Sequence, residues 1–135
     1  MVLHIHDNLF VSDLQEHFNN CFPYLKMEFY KRHPHPGRKN MERDMIQPYN
    51  RIGEIRNNDN EGELVIKSWD NISKVKRELE AFGLIVEIFR NENGEWIQSP
   101  KPNKLTLAQH IEIARRADKK ERTEVKEELE EFNEL

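Results

Sequence analysis

The apolar positions of the chain trace the same strand, helix, strand pattern twice, about sixty residues apart. In each copy two apolar residues alternate in a short strand, apolar residues then recur at helical spacing, and a second alternating strand follows. The second strands, LKMEFYK and LIVEIFR, carry a glutamate at the same position. The pattern predicts two related units over 3–30 and 64–89. The helical positions are Val11, Leu14, Phe18 and Cys21, then Ile72, Val75, Leu79 and Phe82.

Two βαβ units in tandem predict an α+β fold of the ferredoxin-like sandwich type. Right-handed crossovers place both helices on one face, so the strands of the two units can interleave. The connector over 33–62 contains HPHPGRKN, whose prolines and glycine exclude a regular element. Its apolar residues predict that the connector packs on the domain, and its last part, RIGEIR, predicts a hairpin with the strand ELVIK. Those apolar residues are Met41, Met45, Ile46 and Tyr49.

The remainder of the chain predicts a hairpin strand and a long helix. Asparagine and glycine in NENG supply the positive φ angles of a tight turn before the short strand EWIQ. Capping boxes are predicted at two helix starts, Ser12–Gln15 and Thr106–Gln109. The last helix is predicted from Leu107 to beyond Phe132. The sequence therefore predicts a duplicated domain over 1–104 and a charged C-terminal helix over 105–135.

Length, cysteine content and hydropathy narrow the class of protein. A chain of 135 residues can bury a core without disulfides, and the lone Cys21 lies on the apolar stripe of the first helix. We therefore expect a small core cysteine and a reducing compartment. The start MVLHIHDN has no signal-peptide pattern, and no apolar run approaches the roughly 18 residues of a membrane span. The sequence predicts a cytoplasmic protein without membrane contact.

Two longer motifs carry a family resemblance. FPYLKMEFYKR in the first unit and FGLIVEIFRNENGEWIQ followed by LTLAQH in the second resemble a family of small uncharacterised bacterial proteins. The likeness covers most of the chain outside the connector and the tail. The family implies no known activity, substrate or catalytic residue, so none is transferred.

Catalytic motifs are missing from the sequence. There is no glycine-rich phosphate loop, nucleophile elbow, cysteine and histidine constellation or paired-carboxylate motif, which favours a non-catalytic protein. His4, His6, His33 and His35 could offer nitrogen ligands, but no cysteine pair or carboxylate spacing supports them. We expect no metal and no cofactor. Asp7 follows the first strand, as in some small ferredoxin-like nucleases, although a turn explains it better. A small metal-dependent hydrolase is the third alternative.

Charge is unevenly distributed along the chain, although the net charge is only −4. The segment from 31 to 56 contains seven basic and three acidic residues, and the segment from 118 to 135 contains eight acidic and four basic residues. A basic connector with Tyr30 and Tyr49 nearby can contact phosphates while an aromatic ring stacks on an unpaired base. Nucleic-acid binding is therefore the second interpretation. Its candidate residues are Lys31, Arg32, Arg38, Lys39, Arg43 and Tyr30.

The tail supplies the leading interpretation, a non-catalytic protein–protein interaction module. Val125, Leu129 and Phe132 fall on one helical stripe flanked by glutamates, and few other apolar residues follow Arg115. Such a helix needs a surface, because packing rather than propensity stabilises most helices in proteins. We expect it to dock on a protein partner or a second copy of the chain. The alternative is that its acidic residues fold back on the basic connector and mask it.

Overall fold

The computed structural model describes residues 1–35, 38–39, 42–98, 100, 102 and 104–134, and at 121 and 131–134 it describes the backbone only. The strands are β1 (Val2–Ile5), β2 (Leu25–Tyr30), β3 (Gly62–Val65), β4 (Ile85–Glu92) and β5 (Glu95–Gln98). The helices are α1 (Val11–Cys21), α2 (Ile52–Ile55), α3 (Ile72–Glu80) and α4 (Leu107–Glu134), with a 3-10 turn at Glu42–Asp44.

The α+β class is confirmed, whereas the ferredoxin-like sandwich is not. The described strands form two antiparallel sheets, β1 with β3 and β2 with β4 and β5. A ferredoxin-like order would join both units in one sheet through parallel central strands. Here β1 pairs antiparallel with β3 and β2 pairs antiparallel with β4, so that Leu3 lies opposite Leu64 and Glu28 opposite Glu87.

The outer edge of β2 explains why the sheet does not extend on that side. Its outward carbonyls accept hydrogen bonds from Asn19 Nδ2 to Leu25 O (2.8 Å) and from Gln15 Nε2 to Met27 O (3.2 Å). The next carbonyl, of Phe29, accepts from the N–H of Ile46 at 2.7 Å. Helix α1 and the connector thus satisfy the backbone groups that another strand would need.

Of the two predicted capping boxes, one is present in the structure and the other is not. The Thr106–Gln109 capping box is confirmed: Gln109 Oε1 accepts from Thr106 N–H at 2.9 Å, and Thr106 Oγ1 accepts from Gln109 N–H at 3.1 Å. The Ser12–Gln15 box is wrong. Helix α1 begins at Val11, and the carboxylate of Asp13 accepts from the N–H of Phe10 at 2.9 Å. Gln15 is instead directed to the edge of β2.

The connector packs on the domain but forms no hairpin with β3. The segment predicted as a strand is the short helix α2, in which the N–H of Arg56 donates to the carbonyl of Ile52 at 3.2 Å. The N–H of Gly53 donates to the carbonyl of Asp7 at 3.0 Å and Ile52 is fully buried, so the helix is held against the turn after β1. A Cβ at Gly53 would lie 2.8 Å from Asp7 Cβ, so this close approach requires glycine. Ile46 is buried, which confirms the predicted packing at that position, whereas the packing predicted for Tyr49 is wrong, because that side chain is exposed. Met41 lies outside the described residues.

Both helical stripes contribute to one core. Val11, Leu14 and Phe18 of α1 are fully buried, and Ile72, Val75 and Leu79 of α3 join the same cluster with Leu107 and Ile111 of α4. The prediction of a core cysteine is wrong, since Cys21 is exposed at the last residue of α1. The following residue, Phe22, is buried in its place.

Candidate functional site

The connector lines two neighbouring, partly open cavities that share Arg43, and we call them together the connector cleft. The larger cavity is about 590 Å³ and has an apolar side formed by Met45, Ile46, Tyr49 and Ile55, with Lys31 and Arg43 also in its lining. Glu42 and Glu54 line it as well, which balances those two positive charges. The smaller cavity is about 190 Å³ and is lined by Arg32, His33, Pro34, His35, Arg38, Lys39, Arg43 and Asp44.

The smaller cavity is strongly basic. Four cationic side chains share it with one carboxylate, that of Asp44, which lies 3.2 Å from Nε of Arg32. Asp44 is buried, whereas the arginine is exposed. The excess of three positive charges in a concave surface concentrates positive potential and attracts anions. The structure therefore brings together Arg32, Arg38, Lys39 and Arg43 of the predicted set, with Lys31 in the adjoining cavity.

The aromatic residue of the cleft is Tyr49 rather than Tyr30. Tyr30 is only 3% exposed, so its ring is not accessible for stacking on a base. Burial, with the nearby carboxylates of Glu28 and Glu87, raises the pKa of Tyr30 to about 12. Tyr49 is 74% exposed and lines the larger cavity beside Lys31 and Arg43.

Helix α4 divides into a packed and an exposed part. Leu107 and Ala114 in its first turns are fully buried, and Asp118 accepts a hydrogen bond from Tyr24 Oη at 3.4 Å. Beyond it lies the segment over 119–134, which we call distal α4. There Val125 is 50% exposed and Leu129 59% exposed. The side chain of Phe132, the third predicted residue of the stripe, lies outside the described residues.

A pair of glutamates at the centre of the larger sheet was missed from the sequence. Glu28 and Glu87 lie directly opposite each other, an arrangement that repels unless each charge is compensated. Lys76 Nζ lies 2.9 Å from Glu87 Oε1, and Lys26 Nζ lies 3.5 Å from Glu28 Oε1. Gln15 Nε2 also donates to Glu28 Oε2 at 3.1 Å. The signal in the sequence was the acidic position shared by LKMEFYK and LIVEIFR. The compensation makes these carboxylates structural.

A buried histidine joins α4 to the sheet. Nη1 of Arg90 donates to Nδ1 of His110 at 2.7 Å, which assigns the imidazole proton to Nε2. Burial, and then the charge of Arg90, lower the pKa of His110, so the ring is neutral. Its Nε2 has no hydrogen-bond partner in the part of the chain that the structure describes. In the sequence, His110 lies three residues after Leu107, and this position on the apolar stripe of α4 is the signal that the histidine is buried.

Three of the residues considered for metal binding, Asp7, His4 and His6, have structural partners. Asp7 Oδ1 accepts from Nε and Nη2 of Arg56 at 2.9 and 2.7 Å, and the arginine side chain is almost fully buried. The rings of His4 and His6 stack on each other, with centroids 6.1 Å apart. Among the described residues no group of three or more histidine, cysteine, aspartate or glutamate side chains is placed to hold a metal ion.

Comparison with protein-family models, with curated proteins and with solved structures gives no match to this chain. In the described ranges no helix has both the length and the apolar character that crossing a membrane requires.

Proposed function

We propose that the protein is a non-catalytic protein–protein interaction module that uses distal α4 as its docking element. One observation carries the proposal: every described side chain from 122 to 130 is exposed, although the same helix is packed in the core at Leu107 and Ile111. Distal α4 extends the helix by roughly 24 Å, at 1.5 Å per residue. A helix of this length whose described side chains between 122 and 130 are all exposed presents its surface to a partner.

The charges of distal α4 indicate what kind of surface would hold it. The segment from 124 to 134 contains six glutamates and one lysine, and many of these glutamates are three or four residues apart. Like charges at this spacing destabilise a helix, and negative charge near a helix C-terminus opposes the macrodipole. A partner with basic groups around an apolar groove relieves both effects, because its cations neutralise the glutamates while Val125 and Leu129 pack in the groove.

Deletion of the residues after Asp118 tests the proposal. We expect the shortened chain to keep the domain folded, because the buried part of α4 is retained, and to lose its association with a protein partner or with itself. The measurements are circular dichroism for folding, light scattering for mass and a pull-down from the native host with nuclease controls. Unchanged association in a folded, shortened chain would contradict the role of distal α4.

Binding of single-stranded nucleic acid is the second candidate, and the connector cleft favours it. The cleft gathers Arg32, Arg38, Lys39 and Arg43 around one small cavity and places the exposed ring of Tyr49 in the adjoining one. Cations that contact phosphates, with an aromatic ring beside them, are the elements of sequence-tolerant single-strand binding.

Neutralising the cleft tests this second function. Replacement of Arg38, Lys39 and Arg43 by alanine is expected to weaken binding to a single-stranded oligonucleotide at low salt and to reduce the slope of log K against log salt by about 2, since each phosphate contact contributes roughly 0.7. Fluorescence anisotropy over a salt series measures both quantities. A wild-type protein that binds no oligonucleotide at low salt would remove nucleic acid from consideration.

We also infer that the fold consists of two related strand–helix–strand units about an approximate twofold axis. Two features support this. The residues that face each other at the centre of each strand pair, Leu3 with Leu64 and Glu28 with Glu87, are equivalent positions of the two units. The contact from Gln15 to Glu28 in the first unit is matched by that from Lys76 to Glu87 in the second.

A further inference from the structure

We propose that the partner of distal α4 is a second copy of this chain, whose connector cleft receives the acidic helix. The inference rests on the proposed function, because it assigns an occupant to the same docking helix. Two copies related by a twofold axis would each place distal α4 in the cleft of the other, which closes the assembly as a dimer.

Charge complementarity is the first argument for this occupant. Distal α4 carries six glutamates and one lysine between 124 and 134, whereas the smaller cavity has four cations and one carboxylate. Of the side chains described there, Glu124, Glu127 and Glu128 are exposed, and Arg38, Lys39 and Arg43 are exposed too. Opposite patches of this kind accelerate encounter and select the matching orientation.

The distribution of apolar surface is the second argument. The larger cavity adjoins the basic one at Arg43 and has Met45, Ile46 and Ile55 in its wall. Distal α4 has the matching order, with Val125 and Leu129 on one stripe and glutamates around it. A helix with two apolar anchors one turn apart fits a groove with an apolar side and a basic neighbour.

The geometry of α4 favours a second copy over the same chain. The helix is continuous from Leu107 to Glu134, and the described side chains between 122 and 130 are exposed within the single chain. Val125 and Leu129 are therefore left uncovered by the part of their own chain that the structure describes. Reciprocal exchange covers them and the exposed ring of Tyr49 at once.

A consequence is competition between dimerisation and polyanion binding. Both use Arg38, Lys39 and Arg43, so a polyanion in the cleft displaces the helix of the second copy. By linkage, dimerisation lowers the affinity for polyanions by the factor with which the polyanion weakens the dimer.

A charge exchange between two variants of the full chain tests the proposal. The cleft variant carries Arg38→Glu, Lys39→Glu and Arg43→Glu, and the tail variant carries Glu124→Lys, Glu127→Lys and Glu128→Lys. Like charges then face each other in each variant alone, and we expect dimerisation to weaken on the order of 100-fold, because such juxtaposition costs several kcal/mol. Mixing the two variants restores opposite charges at both contacts, so a heterodimer should form with wild-type affinity or better. Sedimentation velocity, with one variant labelled, measures mass and composition.

A matched control distinguishes the effect of the lost helix–cleft contact on dimerisation from the effect of the changed net charge. Glu61→Lys, Glu63→Lys and Glu95→Lys together change the net charge as the tail variant does, at exposed positions outside α4 and the cleft. This control should dimerise like the wild type, and circular dichroism confirms that every variant is folded.

The remaining outcomes overturn the proposal. A wild-type chain that stays monomeric at high concentration and low salt excludes the second copy as the occupant. If the cleft variant or the tail variant alone still dimerises, or if the two variants form no heterodimer on mixing, the dimer uses another surface. If the wild type is monomeric while deletion after Asp118 still abolishes capture of a different protein, the second-copy partner fails and the interaction module stands. If that deletion changes nothing, both fail.

Discussion

Leu79→Ala is expected to lower the free energy of unfolding by about 2 to 5 kcal/mol. Leu79 is fully buried on the inner face of α3 and belongs to the cluster that joins both helical stripes to the two sheets. Truncation removes the transfer free energy of the lost methyl groups and leaves a cavity that the surrounding strands and helices cannot fill. Urea denaturation followed by circular dichroism measures the change, as a lower midpoint with an unchanged slope.

Ser73→Ala is the matched control, because Ser73 is exposed on the same helix. It should change the stability by less than about 0.5 kcal/mol. Phe18→Ala in α1, at a side chain that is also fully buried, should cost about 3 to 5 kcal/mol. Stability close to wild type in Leu79→Ala would show that α3 does not anchor the core.

Helices α1, α3 and α4 and the NENG turn could be predicted because their signals are local. The stripes of α1 and α3 repeat every three or four residues, and the residues on them are buried with the exception of Cys21 and the half-buried Phe82. The NENG turn is confirmed by positive φ angles of 54° at Asn93 and 85° at Gly94. The strand that follows, β5, has the predicted bounds, since the turn determines where it begins.

Strand pairing could not be predicted, because alternation assigns a face and not a neighbour. Leu25 and Met27 alternate correctly for either a parallel or an antiparallel partner. What selects the pairing is long-range: α1 closes the outer edge of β2 through Gln15 and Asn19, two polar side chains whose sequence positions indicate helix surface. Helix α2 was missed for the same reason, since its contacts with Asp7 span more than forty residues.

The candidate site was predicted in composition but not in arrangement. A run of basic residues in the connector is visible in the sequence, and Arg32, Arg38, Lys39 and Arg43 do line one cavity. The sequence did not show which of Tyr30 and Tyr49 is exposed. Tyr30 lies on the polar-alternating face of β2, but the bridge from Tyr30 to Met45 brings the connector alongside it. Period-two alternation identifies the outer face of a sheet and says nothing about what covers it.

Gly83→Ala is expected to destabilise the protein by about 2 to 5 kcal/mol through two additive causes. Gly83 lies three residues after the end of α3 and has φ of 78°, a left-handed conformation that costs an L-residue about 1 to 2 kcal/mol. Its N–H donates to the carbonyl of Glu80 at 2.9 Å, and its carbonyl accepts from the N–H of Asn57 at 3.2 Å. A Cβ there would lie 2.9 Å from the backbone nitrogens of Asn57 and Asn58, and such overpacking costs about 1 to 3 kcal/mol.

Gly94→Ala separates the two causes. Gly94 has a similar φ of 85°, but a Cβ added there meets no atom within 4 Å, so only the conformational cost of about 1 to 2 kcal/mol applies. Thermal and urea unfolding of both variants should therefore place Gly83→Ala well below Gly94→Ala. The difference measures how tightly the end of the connector is pressed against the end of α3, because the backbone of Asn57 cannot move away without releasing its hydrogen bond to Gly83. Equal losses in the two variants would mean that this junction yields, and that the connector is held on the domain by Ile46, Ile52 and the Asp7–Arg56 pair instead.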